Sequence, residues 1–189
     1  MNSFLKKLKG LFKRRPSLEK ADSPIALDTD FWAAGVIFTD KRIMLAGYQS
    51  HGEASCISGI GGKRQGNENF SQTAIREMLE ELFQAQCSLE LIERIEAYVI
   101  PESIIRNDNY IILVYSFKSL NDIMKLLISL DAKSPIYRTF PKNLNELIFN
   151  RVPLNNSEIS CLCLIPVVHH PKTYQFIDDN LLDDMRLLI

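Results

Sequence analysis

Between Ala33 and Tyr48 apolar side chains run almost unbroken on either side of a polar Thr39-Asp40-Lys41. AAGVIF and the RIMLAGY that follows it therefore predict two β-strands joined by a tight turn. After a glycine-rich stretch, residues 71–84 switch to a helical period. LIERIEAYVI (91–100) and YIILVYSF (110–117) predict two more strands, joined by a polar turn around Asn107 to Asn109. SLNDIMKLLISL (119–130) predicts an amphipathic helix capped by Ser119 or Asn121, and FPKNLNELIFNR (140–151) a further helix. EISCLCLIPV (158–167) predicts a buried strand and DNLLDDMRLLI (179–189) a terminal helix. Strands and helices interleave without internal repeat, which points to a mixed α/β class with one core.

The first fifteen residues follow another rule. Phe4, Leu5, Leu8, Leu11 and Phe12 fall at helical spacing with lysines between them, so a short basic amphipathic helix is expected, stopped near Pro16. Residues 16–29, with two prolines and several turn formers, predict a linker. The expected organisation is a tail and linker over 1–29 and a domain over 30–189, with a helical insertion near 119–151. The helix suits a peripheral membrane contact through residues 4–15 or a contact with RNA phosphates. A solvated tail packed partly on the domain has equal claim.

Charge sharpens that division. Of 22 basic and 23 acidic residues, seven basic and one acidic lie in positions 1–20, leaving the body with a net charge of −7. The longest apolar runs, 111–115 and 161–168, are far too short to cross a bilayer. Cys56, Cys87, Cys161 and Cys163 show no metal-binding spacing, and core thiols of a reducing compartment are expected. That places the protein inside the cell, with the cytoplasm first.

The candidate chemistry lies at 61–82, GGKRQGNENFSQTAIREMLEEL. On the helix, Glu77, Glu80 and Glu81 share one side and Ile75, Met78, Leu79 and Leu82 the opposite one. Three carboxylates at that spacing repel, and a hard divalent cation, Mg²⁺ or Mn²⁺, removes the repulsion. A merely acidic, solvated helix face is the alternative. The loop leading in carries Gly61, Gly62 and Gly66, which let backbone approach a phosphate or metal closely. Lys63 and Arg64 could meet substrate phosphate there.

The full spacing resembles the Nudix box, G-x5-E-x7-R-E-U-x-E-E-x-G-U, with U a bulky apolar residue. Gly62, Glu68, Arg76, Glu77, Met78, Glu80 and Glu81 stand in register with it. Phe83 and Gln84 stand where the box has glycine and an apolar residue, so the helix should end differently or later. The resemblance implies an α/β/α sandwich with a mixed sheet, and a metal-dependent hydrolase that cuts a phosphoanhydride in a nucleoside diphosphate linked to another group. It implies Glu80 and Glu81 as main metal ligands, with the Gly61 carbonyl, and Glu77 as general base or further ligand. It implies Arg76 orienting Glu77, and Glu68 supporting the loop.

Beyond the box, Glu158 is the candidate for an additional acid, ahead of Glu102 and Asp108. His51, His169 and His170 are further candidate bases. Trp32, Tyr48, Phe70, Tyr110 and Tyr137 could stack on a base, with core packing the alternative for most. The segment 59–83 is similar to the box region of decapping Nudix proteins from large DNA viruses, which makes the mRNA 5′ cap the leading substrate. A nucleotide sugar, dinucleoside polyphosphate, oxidised nucleotide or diphosphoinositol phosphate comes second. A catalytically silent binding module comes third, disfavoured by the intact acidic set.

Overall fold

The strands β1 (Ala33–Thr39) and β6 (Tyr110–Ser116) are apolar along their whole length because both of their faces are covered. Ala34, Val36 and Phe38 of β1, and Ile111, Leu113 and Tyr115 of β6, point into one core. Ile37, Ile112 and Val114 point into a second core on the opposite face. This period-two division fixes register, since a slip of one residue would exchange the two faces. The two strands pair in parallel from Ala33↔Tyr110 to Thr39↔Ser116, and the other strand-to-strand pairings among the described residues are antiparallel.

The computed structural model describes residues 30–49, 55–155, 157–168 and 176–188. The basic tail, the linker and the three histidines lie outside them, and so do the expectations placed on them. Around β1 and β6 the described strands form a seven-stranded mixed sheet. β5 (Ser103–Asn107) lies against β6. β2 (Ile43–Gln49) meets the end of β1 at Thr39↔Met44, and carries β3 (Cys56–Ser58) and β7 (Ile159–Pro166). β4 (Ile60–Lys63) pairs with the start of β1, setting Gly61 opposite Gly35.

Four of the described helices cover one face: α1 (Phe70–Phe83), α2 (Leu89–Tyr98), α3 (Phe117–Ser129) and α4 (Leu144–Phe149). α5 (Asp179–Arg186) covers the other through Leu181 and Met185. The result is an α/β/α sandwich. Among the described residues no helix is long and apolar enough to cross a membrane.

Three local readings need correction. LIERIEAYVI is not a strand: Leu89–Tyr98 is helical, started by the Ser88 side chain accepting from the Leu91 amide. Its buried positions, Ile92 and Ile95 followed by Val99, recur every three to four residues. That is a helix face, and the strand meant for this place is the short SIIRN of β5. The cap of α3 is Ser116, whose side chain accepts from Ser119. Among the described residues β7 pairs only with β2, and it is half-buried rather than buried, with Cys161 exposed and Leu164 partly so. The four cysteines are free thiols: Cys87 and Cys163 are half-buried against the two cores, Cys56 is half-buried and Cys161 is exposed.

One buried acid marks where α5 meets the sheet. Asp184 is buried and accepts from Asn107 Nδ2 at 3.1 Å. Burial pushes its carboxyl up from 3.8 to about 6; Asn107 opposes the shift, and Asp183 and Asp178 add to it. The folded protein therefore binds this proton more tightly than the unfolded chain does. The stability it contributes is complete below about pH 4 and is lost as pH rises through 6. Asp184→Asn should raise unfolding free energy by about 1–2 kcal/mol at pH 7.5 and leave it unchanged at pH 3.8. Urea titrations at the two pH values check this; an equal gain at both would mean that ionisation is not the cause.

Candidate active site

α1 begins at Asn69, whose side chain accepts from Gln72 N–H while Gln72 reaches back to the Asn69 amide. This capping box sets the helix directly after the 64–69 loop, which leaves β4. Strand, loop and helix thus bring Gly62 and Gly61 beside the third and fourth turns of α1, at Glu77 and Glu81.

Arg76 is the hub of the arrangement. Only 5% exposed, it donates through Nε to Glu68 Oε1 at 2.8 Å and through Nη2 to the Lys63 carbonyl at 2.8 Å. Its Nη1 donates to Glu77 Oε1 at 2.7 Å and to Glu80 Oε2 at 2.9 Å. Glu68 is held further by the Gln65 amide and the Thr73 hydroxyl, at 3.1 and 3.0 Å. Burial pushes the Glu68 carboxyl up, and these bonds, led by that from Arg76, outweigh it, so it lies below its usual value. The same carboxylates raise the Arg76 guanidinium against the effect of burial.

The carboxylate face is not uniformly solvated. Glu80 is exposed and Glu77 half-buried, while Glu81 is 8% exposed and accepts from the Gly61 amide at 2.9 Å. Glu81 lies well above its usual value because of burial first and Glu158 next. Glu77 is raised too: burial leads, Arg76 opposes, and Glu80 and Glu158 add to it. Gly62 has a steric duty here. A β-carbon at that position would lie 2.5 Å from the Glu77 carboxylate.

Glu158, one residue before β7, lines a cavity of about 120 Å³ together with Glu77, Glu80, Glu81, Gln84, Arg151 and Ile159. Gln49 of β2 donates to it at 3.3 Å. Glu102 and Asp108 do not line this cavity. Lys63 is exposed, and Arg64 lies over the Phe31 ring at 4.7 Å from its centroid. Among the aromatics, Tyr137 is buried and donates to the Leu147 carbonyl, and Phe70 packs edge-on to Phe31. Trp32 is 76% exposed and, with Tyr110, lines a second cavity of about 660 Å³ that also reaches Gly61.

Sequence reasoning missed Arg151. It is buried, and donates to the carbonyls of Leu82 and Glu81 at 2.8 Å each and to that of Ile159 at 3.0 Å. The signal for it was indirect: the glycine expected after Leu82 is absent. The helix instead runs through Phe83 and closes at Gln84, which adopts the left-handed conformation at φ 45°. The exposed last carbonyls are taken up by Arg151.

Among the described residues no three acidic, histidine or cysteine side chains already enclose a space for an ion. The donor chemistry nevertheless fits a hard divalent cation. Four carboxylates line one small cavity, and two of them are raised by burial and mutual repulsion despite the nearby Arg76 and Arg151.

No family model matches the sequence, and no curated protein sequence does. Solved structures do match. A bifunctional NMN adenylyltransferase/ADP ribose pyrophosphatase from Francisella tularensis, complexed with AMP and a manganese ion, aligns over 98% of this chain at 13% identity and a TM-score of 0.46. The chain spans 45% of that protein's length. A NUDIX hydrolase from Nitrosomonas europaea aligns over 82% of this chain and 85% of its own, at 11% identity and a TM-score of 0.43. A NUDIX-family hydrolase from Clostridium perfringens aligns over 85% and 99%, at 17% identity and a TM-score of 0.38. These likenesses are of architecture, and they carry no residue role to this chain.

Proposed function

We propose that this protein is a Nudix hydrolase, which cuts a phosphoanhydride bond in a nucleoside diphosphate linked to another group. The observation that carries the reading is the single constellation formed by the box residues. Arg76 ties Glu68, Glu77, Glu80 and the Lys63 carbonyl together, and Glu81 is pinned to Gly61 across from them. An acidic solvated face has no use for a buried arginine bonded to four partners.

Glu80, Glu81 and Glu158 would hold Mg²⁺ or Mn²⁺, with the Gly61 carbonyl as a further ligand. When bound, the cation would neutralise phosphate charge and lower the pKa of water. Hydrolysis forms one phosphorus–oxygen bond from water and breaks the bridging one, whose electron pair leaves with the departing phosphate. Glu77 takes the proton of the attacking water. Arg76 fixes the direction in which that carboxylate faces. Glu68 holds Arg76 and the loop.

For the substrate, the larger cavity supports a nucleoside end. Its wall has Trp32 at the rim, Asn107, Asn109 and Asn180 as amides, and Asp178, Asp183 and Asp184 as acids. Among the described residues no lysine or arginine lines it. Such a wall suits a base bearing donors or positive charge, stacked on an indole, and repels a polyphosphorylated inositol. A 7-methylguanine carries that positive charge, so capped RNA ranks first. The seven basic residues among positions 1–20 would meet RNA phosphates. Small nucleotide diphosphates rank second.

Product analysis by mass spectrometry tests this, with Mg²⁺ and then Mn²⁺, on capped RNA, nucleotide sugars, dinucleoside polyphosphates and diphosphoinositol phosphates. Methylated guanosine diphosphate released from capped RNA is the expected product. Removal of residues 1–20 should slow turnover of long capped RNA and spare a cap dinucleotide. Turnover confined to a small molecule would overturn decapping alone. No turnover of any substrate would favour the silent binding module.

Gly62→Ala makes a narrower prediction. The added methyl meets the far end of a flexible side chain, so stability should change little, but Glu77 must turn aside. A fall in kcat of about 100-fold is expected, with the melting temperature nearly held. A kcat within a few-fold of the unaltered enzyme would remove Glu77 from the base's role.

A further inference from the structure

The three hydrogen bonds of Arg151 join two parts of the site that are otherwise far apart in the chain. Its Nη1 and Nη2 take the carbonyls of Leu82 and Glu81 in the last turn of α1. The same Nη2 takes the carbonyl of Ile159, the residue after Glu158. The guanidinium therefore bridges the two segments that line the 120 Å³ cavity, the end of α1 with Glu80 and Glu81 and the start of β7 with Glu158. Its Nε is buried and has no hydrogen-bond partner among the described residues, while its terminal nitrogens hold the three carbonyls.

Two local facts make a rigid fork necessary here. α1 lacks the box glycine and runs one residue further, to a left-handed Gln84. The carbonyls of Glu81 and Leu82 then face the cavity, and a cation at a helix C-terminus is favoured by the helix dipole. Meanwhile the β2–β7 register shifts between Tyr48 and Gln49, beside the Ile159 pairing, so sheet hydrogen bonding alone holds Glu158 weakly.

We propose that Arg151 is a positioning residue that sets the distance between the Glu80–Glu81 pair and Glu158, and thereby the affinity of the site for its divalent cation. This rests on the hydrolase reading above. Arg151 touches neither substrate nor reacting atoms; it acts by holding two backbone segments. Lysine would retain the charge at the helix end and lose the fork.

Arg151→Lys and Arg151→Gln would be compared with the unaltered full-length protein, with near-ultraviolet circular dichroism to verify folding. Mn²⁺ affinity, read by electron paramagnetic resonance of the free ion, should fall about tenfold or more in both. In turnover, kcat should fall while KM for substrate is held. In a Glu158→Gln background, Arg151→Lys should cost much less of either quantity, because the group being positioned is gone. A purely structural role predicts a lower melting temperature with Mn²⁺ affinity unchanged, and that overturns the inference. Equal losses with and without Glu158 also overturn it, as does failure of both variants to fold. Absence of Mn²⁺ binding by the unaltered protein would remove the hydrolase reading and this inference together. Binding that Arg151→Lys leaves intact removes the inference alone.

Discussion

Glu80→Gln with Glu81→Gln should lower phosphoanhydride hydrolysis by on the order of 1,000-fold or more while the fold stays intact. Glutamine matches glutamate in volume, and its amide oxygen can still accept from the Gly61 amide that now bonds to Glu81 at 2.9 Å. What disappears is negative charge. In the folded protein without a cation that charge is a burden: Glu81 is buried, and its carboxyl is raised by burial and by the neighbouring Glu158. Removing it should leave thermal stability equal or higher, as expected where function and stability are opposed. The joint result, stability kept or gained with rate and Mn²⁺ binding lost, separates a ligand role from a structural one. A double variant that unfolds would show instead that the carboxylates hold the loop. One that retains a tenth of the rate would place the chemistry elsewhere.

Arg76→Met should have the opposite signature, losing both stability and activity. The arginine is buried, and its loss leaves Glu68, Glu77 and Glu80 facing one another without a counter-charge, with the Lys63 carbonyl unpaired. Breaking a buried charge network by removing one partner costs about 3–5 kcal/mol. Glu80 is exposed and partly screened by water, so about 3 kcal/mol at pH 7.5 is expected here. Glu68 supplies the pH dependence. Its carboxyl is held below the usual 4.5 in the folded protein. The stability it contributes is present above that value and is lost as pH falls through the folded one. The gap between Arg76→Met and the unaltered protein should therefore narrow below about pH 4.5, in urea titrations at pH 7.5 and 4. A gap under 1 kcal/mol at pH 7.5 would mean that solvent already compensates the three glutamates.

The parts of the structure legible in the sequence were those decided over short distances along the chain. The strands over 33–39 and 110–116 announced themselves as apolar runs, and α1 by its period. LIERIEAYVI misled because Leu, Ile, Tyr and Val satisfy a buried strand and a helix face about equally over ten residues. Ser88, the cap that decides between them, stands outside that window. β7 misled for another reason. Its apolar run suggests burial on both faces, but burial depends on what packs over each face, and Cys161 and Leu164 are left exposed.

The same boundary divides the candidate site. Gly62, Glu68, Arg76, Glu77, Glu80 and Glu81 lie within twenty residues. Helical geometry places the last three carboxylates on one side of α1 in any fold that preserves the helix, so their spacing alone was informative. That Arg76 would bind three of the glutamates at once, and that Glu81 would be buried, depended on how β4 docks on β1. Glu158 could be nominated from its place before a strand, but only the pairing of β2 with β7 brought it to the cavity. Arg151 had no local signature at all. It reaches carbonyls 69 and 70 positions away, and a backbone carbonyl is the same acceptor in every residue. The sequence by itself determined the helix that bears the carboxylates, because neighbours three and four apart on a helix meet whatever surrounds them. Only the tertiary structure decided which distant side chains close the site, because those contacts follow from strand register and helix docking, which are set by the whole core at once.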